Sequence, residues 1–478
     1  MRGHINPLQR QKQIVSRLKN ENTRLREQVS VLEIENARLA TLLEKVLLQV
    51  EELRTIIFGK KKPKKEPEET TDEKNDSDKT PRGGNRSKDS YTRPTPQETD
   101  VTDTEEHPIT HCPDCHTELT DKQRIIRYIE DIRFACMDGL EGFKKTKRVT
   151  KHIIERGYCP NCKKWHSAIP ISSKVTRAGP SVRLFIAYAI NILRLSYAQT
   201  IECLDTWFGF ALSEGELTNI LEKASIKLKS EYERIHARIL ESKSVHLDET
   251  SHQTGFIHNY DWVLTPGDSE EAIFLIGKNR GKGNAKKLLK GYEGVRVTDG
   301  YPGYTNLPGT QQRCWAHILR KVRDLTETKL LDEEKHEFVQ GIYERLGLYF
   351  HKLTMLIETP FDQEERNKQL KKFKKNLRKI LNDISTSEIQ IAKLTAIKDE
   401  IDRAFPQYLT CITHEGVAAT NNKAERKLRH LVIKRKTSFG TKTTRGDQIL
   451  ETNLSVMLSL WWTDRASFFP RLWGLLEG

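Results

Sequence analysis

Thr420-Asn421-Asn422-Lys423-Ala424-Glu425-Arg426 is the stretch that decides how the rest of this chain is read. It sets a carboxylate, Glu425, among basic neighbours. It gains meaning from two earlier fragments, His246-Leu247-Asp248-Glu249-Thr250 and Val297-Thr298-Asp299-Gly300-Tyr301. Three carboxylates at Asp248, Asp299 and Glu425 can hold a pair of divalent ions of the kind that phosphodiester chemistry uses. Val245 to Leu247 reads as the end of a strand with Asp248 at its tip. Val295-Arg296-Val297-Thr298 reads as another, ending at Asp299-Gly300. Residues 256–264 alternate apolar and polar, and Ile273-Phe274-Leu275-Ile276 continues the sheet pattern. Acids at the ends of neighbouring strands are well set to share a metal ion.

Each acid also has a plainer reading. Asp299-Gly300 is an ordinary turn signal, and Asp248 fits a solvent-facing strand end. Asn422 followed three residues later by Glu425 fits a helix capping box. Around Glu425 the chain carries Lys423, Arg426, Lys427, Arg429, His430, Lys434, Arg435 and Lys436. Such groups attract phosphates; they also suit a solvated helix face, with Ala424, Leu428, Leu431 and Val432 as the inward stripe. His317, in Cys314-Trp315-Ala316-His317, suits a ligand, a DNA contact or a core residue.

Composition sets the frame. A chain of 478 residues is too long for one ordinary core, and about three domains is the prior. Its net charge of +14 favours a polyanion partner. No run of apolar residues is long enough to span a bilayer, and Met1 to Asn20 lacks the apolar core of a secretion signal. Neither secretion nor membrane insertion is expected. Two Cys-x-x-Cys pairs among eight cysteines suit metal in a reducing compartment better than disulfides.

Residues 15–57 keep a seven-residue repeat. One seam holds Leu18, Leu25, Leu32, Leu39, Val46 and Leu53; the other mixes Val15, Val29, Leu43, Val50 and Ile57 with Asn22 and Asn36. That is the pattern of a parallel two-stranded coiled coil whose asparagines fix register. The rival is a long amphipathic helix folded back on its own domain. Lys60-Lys61-Lys62-Pro63-Lys64-Lys65 then opens a charged stretch too poor in apolar residues to fold, read as a flexible tether over 59–108. Cys112-Pro113-Asp114-Cys115 and Cys159-Pro160-Asn161-Cys162 are two knuckles of one form. They predict a structural zinc site within a ribbon spanning 109–168. Redox chemistry is the competing reading; His111, His116 and His166 lie near enough to replace a thiolate. Residues 169–240 read as a helical module able to touch DNA.

In this order the motifs match a known family. The chain resembles transposases of the insertion-sequence-66 family, a DD-E group with an RNase H-like catalytic fold. The resemblance runs from the leucine repeat ending Ile57-Phe58-Gly59 through the cysteine segment, the three acidic fragments and Cys314-Trp315-Ala316-His317. It extends to Arg435-Lys436-Thr437-Ser438-Phe439-Gly440. It implies an α/β RNase H-like core, a mixed sheet with flanking helices, over 241–440, and Asp248, Asp299 and Glu425 as the catalytic, metal-binding triad. Glu249 is the acid less suited to be a ligand. The implied cofactors are Mg2+ (or Mn2+) at the acids and structural Zn2+ at Cys112, Cys115, Cys159 and Cys162. The implied partners are double-stranded DNA, both element ends and target; a second copy through the coiled coil at 1–58; and accessory proteins of the same element. A cytoplasmic, nucleoid-associated protein of a prokaryotic cell is expected.

Arg426 and Lys436 are the expected phosphate contacts. His317 and Trp315 are expected to contact DNA or support the site. A helical hairpin or coiled arm is expected as an insertion over about 318–405, ended by Pro406, with a helical tail over 441–478 capping the sheet. Three other readings stand beside the transposase: a catalytically silent dimeric DNA-binding regulator, a structural assembly protein that joins other proteins through the coiled coil, and a nuclease of the same fold that cuts without joining.

Overall fold

A computed structural model describes residues 94–132, 147–169, 177–328, 331–360 and 362–477, with a separate helical stretch at 19, 21–26 and 28–30. Most of the leucine repeat and the Lys60–Lys65 run fall outside the described residues. Within the helical stretch the seam residues Leu25 and Val29 are both exposed.

The folded unit begins earlier than the charge pattern predicts. Asp103–His107 (β1) lies inside the stretch expected to be tether, yet pairs in parallel with Lys147–Cys159 (β3). Its sequence, Asp-Thr-Glu-Glu-His, has no apolar alternation. Backbone pairing at a sheet edge forms it, which composition does not reveal. Thr120–Ile132 (β2) pairs antiparallel with β3, and so does the short Lys164–Ser167 (β4). The two knuckles fold alike. His116 and Lys163, each just after a second cysteine, take positive φ, and each donates its N–H back to the first cysteine's carbonyl at 2.9 Å.

Three helices follow: Pro180–Asn191 (α1), Tyr197–Phe208 (α2) and Glu214–Glu241 (α3). Ser196 and Gln199 close a capping box on α2, and Ser213 caps α3 as the sequence grammar requires. The central sheet comprises Ser244–Thr254 (β5), Ile257–Pro266 (β6), Ile273–Gly277 (β7), Val295–Thr298 (β8) and Thr310–Arg313 (β9), in the order β7-β6-β5-β8-β9. The first three form an antiparallel meander; β8 and β9 join in parallel. Between β5 and β6 the turn is only Gly255-Phe256, and Gly255 sits at φ +58°, where a side chain is strained. Lys282–Leu289 (α4) crosses between β7 and β8.

Residues between the second and third acids are helical, as expected, and amount to more than a two-helix hairpin. Trp315–Thr326 (α5), Glu333–Ile357 (α6), Gln363–Thr386 (α7), Ala392–Arg403 (α8) and the short Thr410–Thr413 (α9) build a lobe around an apolar core. Trp315 is fully buried in it, its indole N–H donating to the Tyr408 carbonyl at 2.8 Å and its ring against Tyr349 and Tyr408. The expectation that Trp315 touches DNA is therefore corrected: a side chain with no exposed surface reaches no ligand.

Asn422–Ser438 (α10) returns to the sheet, followed by Thr444–Thr463 (α11) and Phe468–Glu477 (α12). The sheet edge at β7 is covered by α11. There Ser459, Ser455 and Glu451, spaced four apart on the helix, accept the N–H groups of Ala272, Phe274 and Ile276, spaced two apart on the strand, at 2.9, 2.9 and 2.6 Å. The match is geometric: four helical residues rise about 6 Å and two strand residues about 6.6 Å. The edge donors are thus satisfied and hidden from other chains. Among the described residues no helix is long and apolar enough to cross a membrane. Ser455→Ala and Ser459→Ala should each cost about 1–3 kcal/mol, because each strands a buried donor. Urea denaturation of the variants measures it, and a neutral result would mean α11 covers the edge without capping it.

Candidate functional site

The three acids arrive at one place by separate routes. In the parallel β5/β8 pair, His246 stands opposite Val297. Two residues further on each chain come Asp248 and Asp299, so both carboxylates project from the same face at matching positions. Tyr301 N–H donates to Asp299 Oδ1 at 2.9 Å, and Glu249 N–H to Asp248 Oδ1 at 3.0 Å. Glu425 lies in the first turn of α10.

Asn421 fixes that helix to both strands. Its side-chain amide donates to the Leu247 carbonyl at 2.9 Å, one residue before Asp248. Its Oδ1 lies 3.2 Å from His246 Nδ1, so the imidazole carries its proton there. Burial, with Lys423 nearby, drops the His246 pKa to about 4, which keeps it neutral. The Asn421 N–H donates to Cys314 Sγ at 3.1 Å, and Cys314 N–H donates to the Thr298 carbonyl at 2.9 Å, one residue before Asp299. A capping box between Asn422 and Glu425 is not formed: Asn421 is the N-cap residue, and its side chain faces the strand rather than the helix.

Electrostatics report the convergence. Burial, then the charges of Glu249, Asp299 and Glu425, push the Asp248 carboxyl up to about 8. Burial also lifts Glu249 to about 7, with Arg280 pulling the other way and Asp299 adding to the rise. Both Glu249 oxygens are occupied: Arg280 Nε donates to one at 2.5 Å and the Tyr304 hydroxyl donates to the other. Glu249 is thus an anchor for Arg280, whose guanidinium lies 3.8 Å over the Tyr301 ring. Arg280 is a group the sequence reading missed. Its signal was present in the basic, glycine-containing Lys278-Asn279-Arg280-Gly281-Lys282 loop.

His317 Nδ1 stands 3.8 Å from Glu425 Oε1, and Arg320 lies 3.6 Å from the other Glu425 oxygen. Neither His317 Nδ1 nor Glu425 Oε1 has a hydrogen-bond partner although both atoms are buried. Cys314, His317 and Glu425 bring ligand atoms within 4.8 Å of one another; among the described residues the three acids do not close to that spacing as a set.

The basic residues of α10 divide in two. Arg426, Arg429 and Lys436 are exposed, whereas Lys427, His430 and Lys434 are buried. Lys434 Nζ donates to the Ile190 carbonyl at 2.8 Å and His430 Nε2 to Asn191 at 2.7 Å, satisfying the last carbonyls of α1. Lys427 donates to the Glu270 carbonyl at 2.9 Å. These three belong to the packing, which corrects the reading of the whole run as a phosphate surface.

At the knuckles the four sulfurs of Cys112, Cys115, Cys159 and Cys162 lie within 4.8 Å of one another. Cys115 and Cys162 are 3.2 Å apart, Cys115 and Cys159 3.5 Å, Cys112 and Cys162 3.8 Å. The Thr117 hydroxyl, first among several hydrogen bonds, draws the Cys115 thiol down to about 5, and Cys115 in turn pushes Cys162 up to about 12. His166 Nε2 sits 3.3 Å from Cys112 Sγ, while His111 and His116 are exposed.

A family model described as Transposase IS66 family matches residues 176–449, from just before α1 into α11. The leucine repeat and the cysteine knuckles precede the match, so the resemblance there rests on their motifs. No curated protein matches the chain. All three acids and the Asn421 tie lie inside the matched span, which covers more than half the sequence: the chain belongs to the IS66 family of transposases.

Proposed function

We propose that this chain cuts DNA at the ends of an insertion element and joins the freed 3′ ends to target DNA, on an RNase H-like core. The observation that carries the reading is that Asp248 on β5 and Asp299 just past the end of β8 each follow by two residues the paired His246 and Val297, with the Glu425 helix tied to both strands through Asn421. An antiparallel meander extended by two parallel strands on the β5 side supports the fold assignment.

The acids fit hard divalent cations. Their donors are carboxylate oxygens, Asp248 is destabilised as an anion by burial and then by its acidic neighbours, and Glu425 Oε1 is buried without a partner. Mg2+ or Mn2+ held there would lower the pKa of an attacking water and stabilise the leaving 3′ oxygen. Asp248, Asp299 and Glu425 would together hold the ion, with Asp248 feeling the charge of both other acids. His317 and Arg320 flank the Glu425 carboxylate, at 3.8 and 3.6 Å from its two oxygens. Arg280, Arg426 and Lys436 are the exposed cations suited to phosphates, positioned by the Glu249 anchor and by α10.

The knuckles fit zinc. Four thiolates at about 2.3 Å from a tetrahedral ion stand roughly 3.8 Å apart, close to the spacings found, and Cys162 N–H donates to Cys159 Sγ at 3.3 Å. Exposed Leu25 and Val29 leave a seam for a second copy of the chain.

The primary experiment incubates purified protein with Mg2+ or Mn2+ and labelled duplexes carrying the element's inverted ends. Cut and joined products are expected. Asp299→Asn and Glu425→Gln should each lower cleavage at least about a hundredfold, or roughly 3 kcal/mol of barrier, while DNA binding persists. Unjoined cuts would instead point to a nuclease, and binding without cleavage by the parent chain to a regulator.

Charge linkage gives a second test. A folded-state pKa of about 8 for Asp248, above its ordinary value of 3.8, means the metal-free fold binds an extra proton between those limits. Its contribution to stability therefore falls as pH rises through that window. Mn2+ must displace the proton, so its affinity should rise toward pH 8 and its stabilising effect should be larger at pH 8 than at pH 6. Thermal melts with and without Mn2+ measure this; an equal shift at both values would remove Asp248 from the ion site. Finally, Arg426→Ala and Lys436→Ala should weaken binding to all duplexes alike, each reducing the salt slope by about one.

A further inference from the structure

A third cluster of metal-ligating side chains lies away from both sites, on the strand that the charge pattern had hidden. In the parallel β1/β3 pair Glu105 stands opposite His152, and His107 follows two residues along β1 on the same face. The three ligand atoms converge. His107 Nε2 is 3.0 Å from His152 Nδ1, Glu105 Oε2 is 3.4 Å from His152 Nδ1, and Glu105 Oε2 is 3.8 Å from His107 Nε2. Nitrogen and oxygen donors held at about 2.0–2.1 Å on a tetrahedral ion stand roughly 3.4 Å apart, and the three separations bracket that value.

Protein hydrogen bonding alone serves this arrangement poorly. If one imidazole donates its ring proton to the other, the accepting nitrogen turns a lone pair toward its donor and neither ring has a second proton for the carboxylate at that point. Two protonated rings stacked at 5.3 Å would repel each other. A cation in the middle satisfies all three atoms at once. Glu105 is half exposed, His107 and His152 less so, which leaves the outer side open to a water as fourth ligand.

We propose that Glu105, His107 and His152 form a second transition-metal site, of the zinc class, that fastens the edge strand β1 to β3. Two imidazoles and a carboxylate favour Zn2+, Co2+, Ni2+ or Cu2+ over Mg2+. The fastening has a purpose. β1 contributes no side chain to the buried cores, and its lateral partners are surface ion pairs such as Arg148–Asp103, which are worth little. Yet, among the described residues, this strand is the first that a sheet holds. An ion there would anchor it separately from the cysteine knuckles.

The test titrates Co2+ into the full chain, without a polyhistidine tag, stripped of metal under reducing conditions and kept in excess Mg2+ so that the acid cluster is occupied. The cysteine site reports through intense near-ultraviolet thiolate-to-cobalt bands. The proposed site would report only through weaker visible bands from nitrogen and oxygen ligands. Two equivalents are expected. His107→Ala and, separately, His152→Ala should each remove the second equivalent and leave the thiolate bands unchanged, which also shows that the knuckles still fold. One equivalent in the parent chain, or two retained in both variants, would overturn the proposal.

Discussion

The arrangement of the acids depends on one buried side chain, Asn421. Three elements far apart in sequence must present their carboxylates together, and like charges resist that. Asn421 opposes the resistance with uncharged bonds: its amide to the Leu247 carbonyl, its Oδ1 to His246, and its backbone N–H to Cys314, which itself holds the Thr298 carbonyl. Each contact falls one or two residues from Asp248 or Asp299. Because Asn421 is fully buried, losing one of these bonds would leave an unpaired polar group in the interior. Rigid neutral bonds are a sound way to hold charges that would otherwise spread.

The same tie explains how a large helical lobe fits between the second and third acids. Trp315, where the lobe begins, donates its N–H to the carbonyl of Ala419, where it ends, at 3.0 Å. Entry and exit are clamped to each other next to Asn421. Everything between them packs on an apolar core, from Val339 and Leu346 to Leu377 and Leu394, that also takes in Val295 and Val297 of β8. The lobe's size is thereby separated from the geometry of the acids. It is not isolated from them: Glu400 of α8 approaches Gly300, where an added Cβ would stand 2.9 Å from its carboxylate, and pairs with Lys321 of α5.

The short strand before Asp299, the paired knuckles and the helical segments were legible because each is local; the strand expected to end at Asp248 instead runs on to Thr254, so that acid lies mid-strand. Alternation marks a strand, and Cys-Pro-x-Cys marks a turn, whatever the rest of the chain does. What stayed illegible was partner choice. Asn422 and Glu425 have capping-box spacing, yet the neighbouring asparagine had a carbonyl on β5 to bind. Trp315 was expected to contact DNA or support the site, and only the core around Tyr349 and Tyr408 shows why it is buried. β1 is stabilised by backbone pairing and carries no hydrophobic pattern to read. The buried lysines were misread for a more instructive reason. Ala424, Lys427, Leu428, Leu431 and Lys434 fall at i, i+3, i+4, i+7 and i+10, so the helical period places both lysines on the inward stripe. Charge was allowed to outvote period.

That stripe shows how α10 meets two opposed electrostatic demands. On the proposed function, it presents an anion beside two others at its first turn and cations for a polyanion along its length. Burying a lysine is costly, and Lys434 shows it, its pKa lowered by burial to about 8. The cost is offset because the carbonyl of Ile190, at the open end of α1, needs a donor and receives one, as the Asn191 carbonyl does from His430. The inward cations thus secure the helix end that α10 packs against, and the outward Arg426, Arg429 and Lys436 remain free for solvent or phosphate. Had all the cations faced out, the carbonyls at the end of α1 would be left unpaired inside the protein. Had all faced in, this helix would offer no cation for the proposed phosphate contacts. Dividing them by helical face lets one short segment stabilise the fold and serve the site.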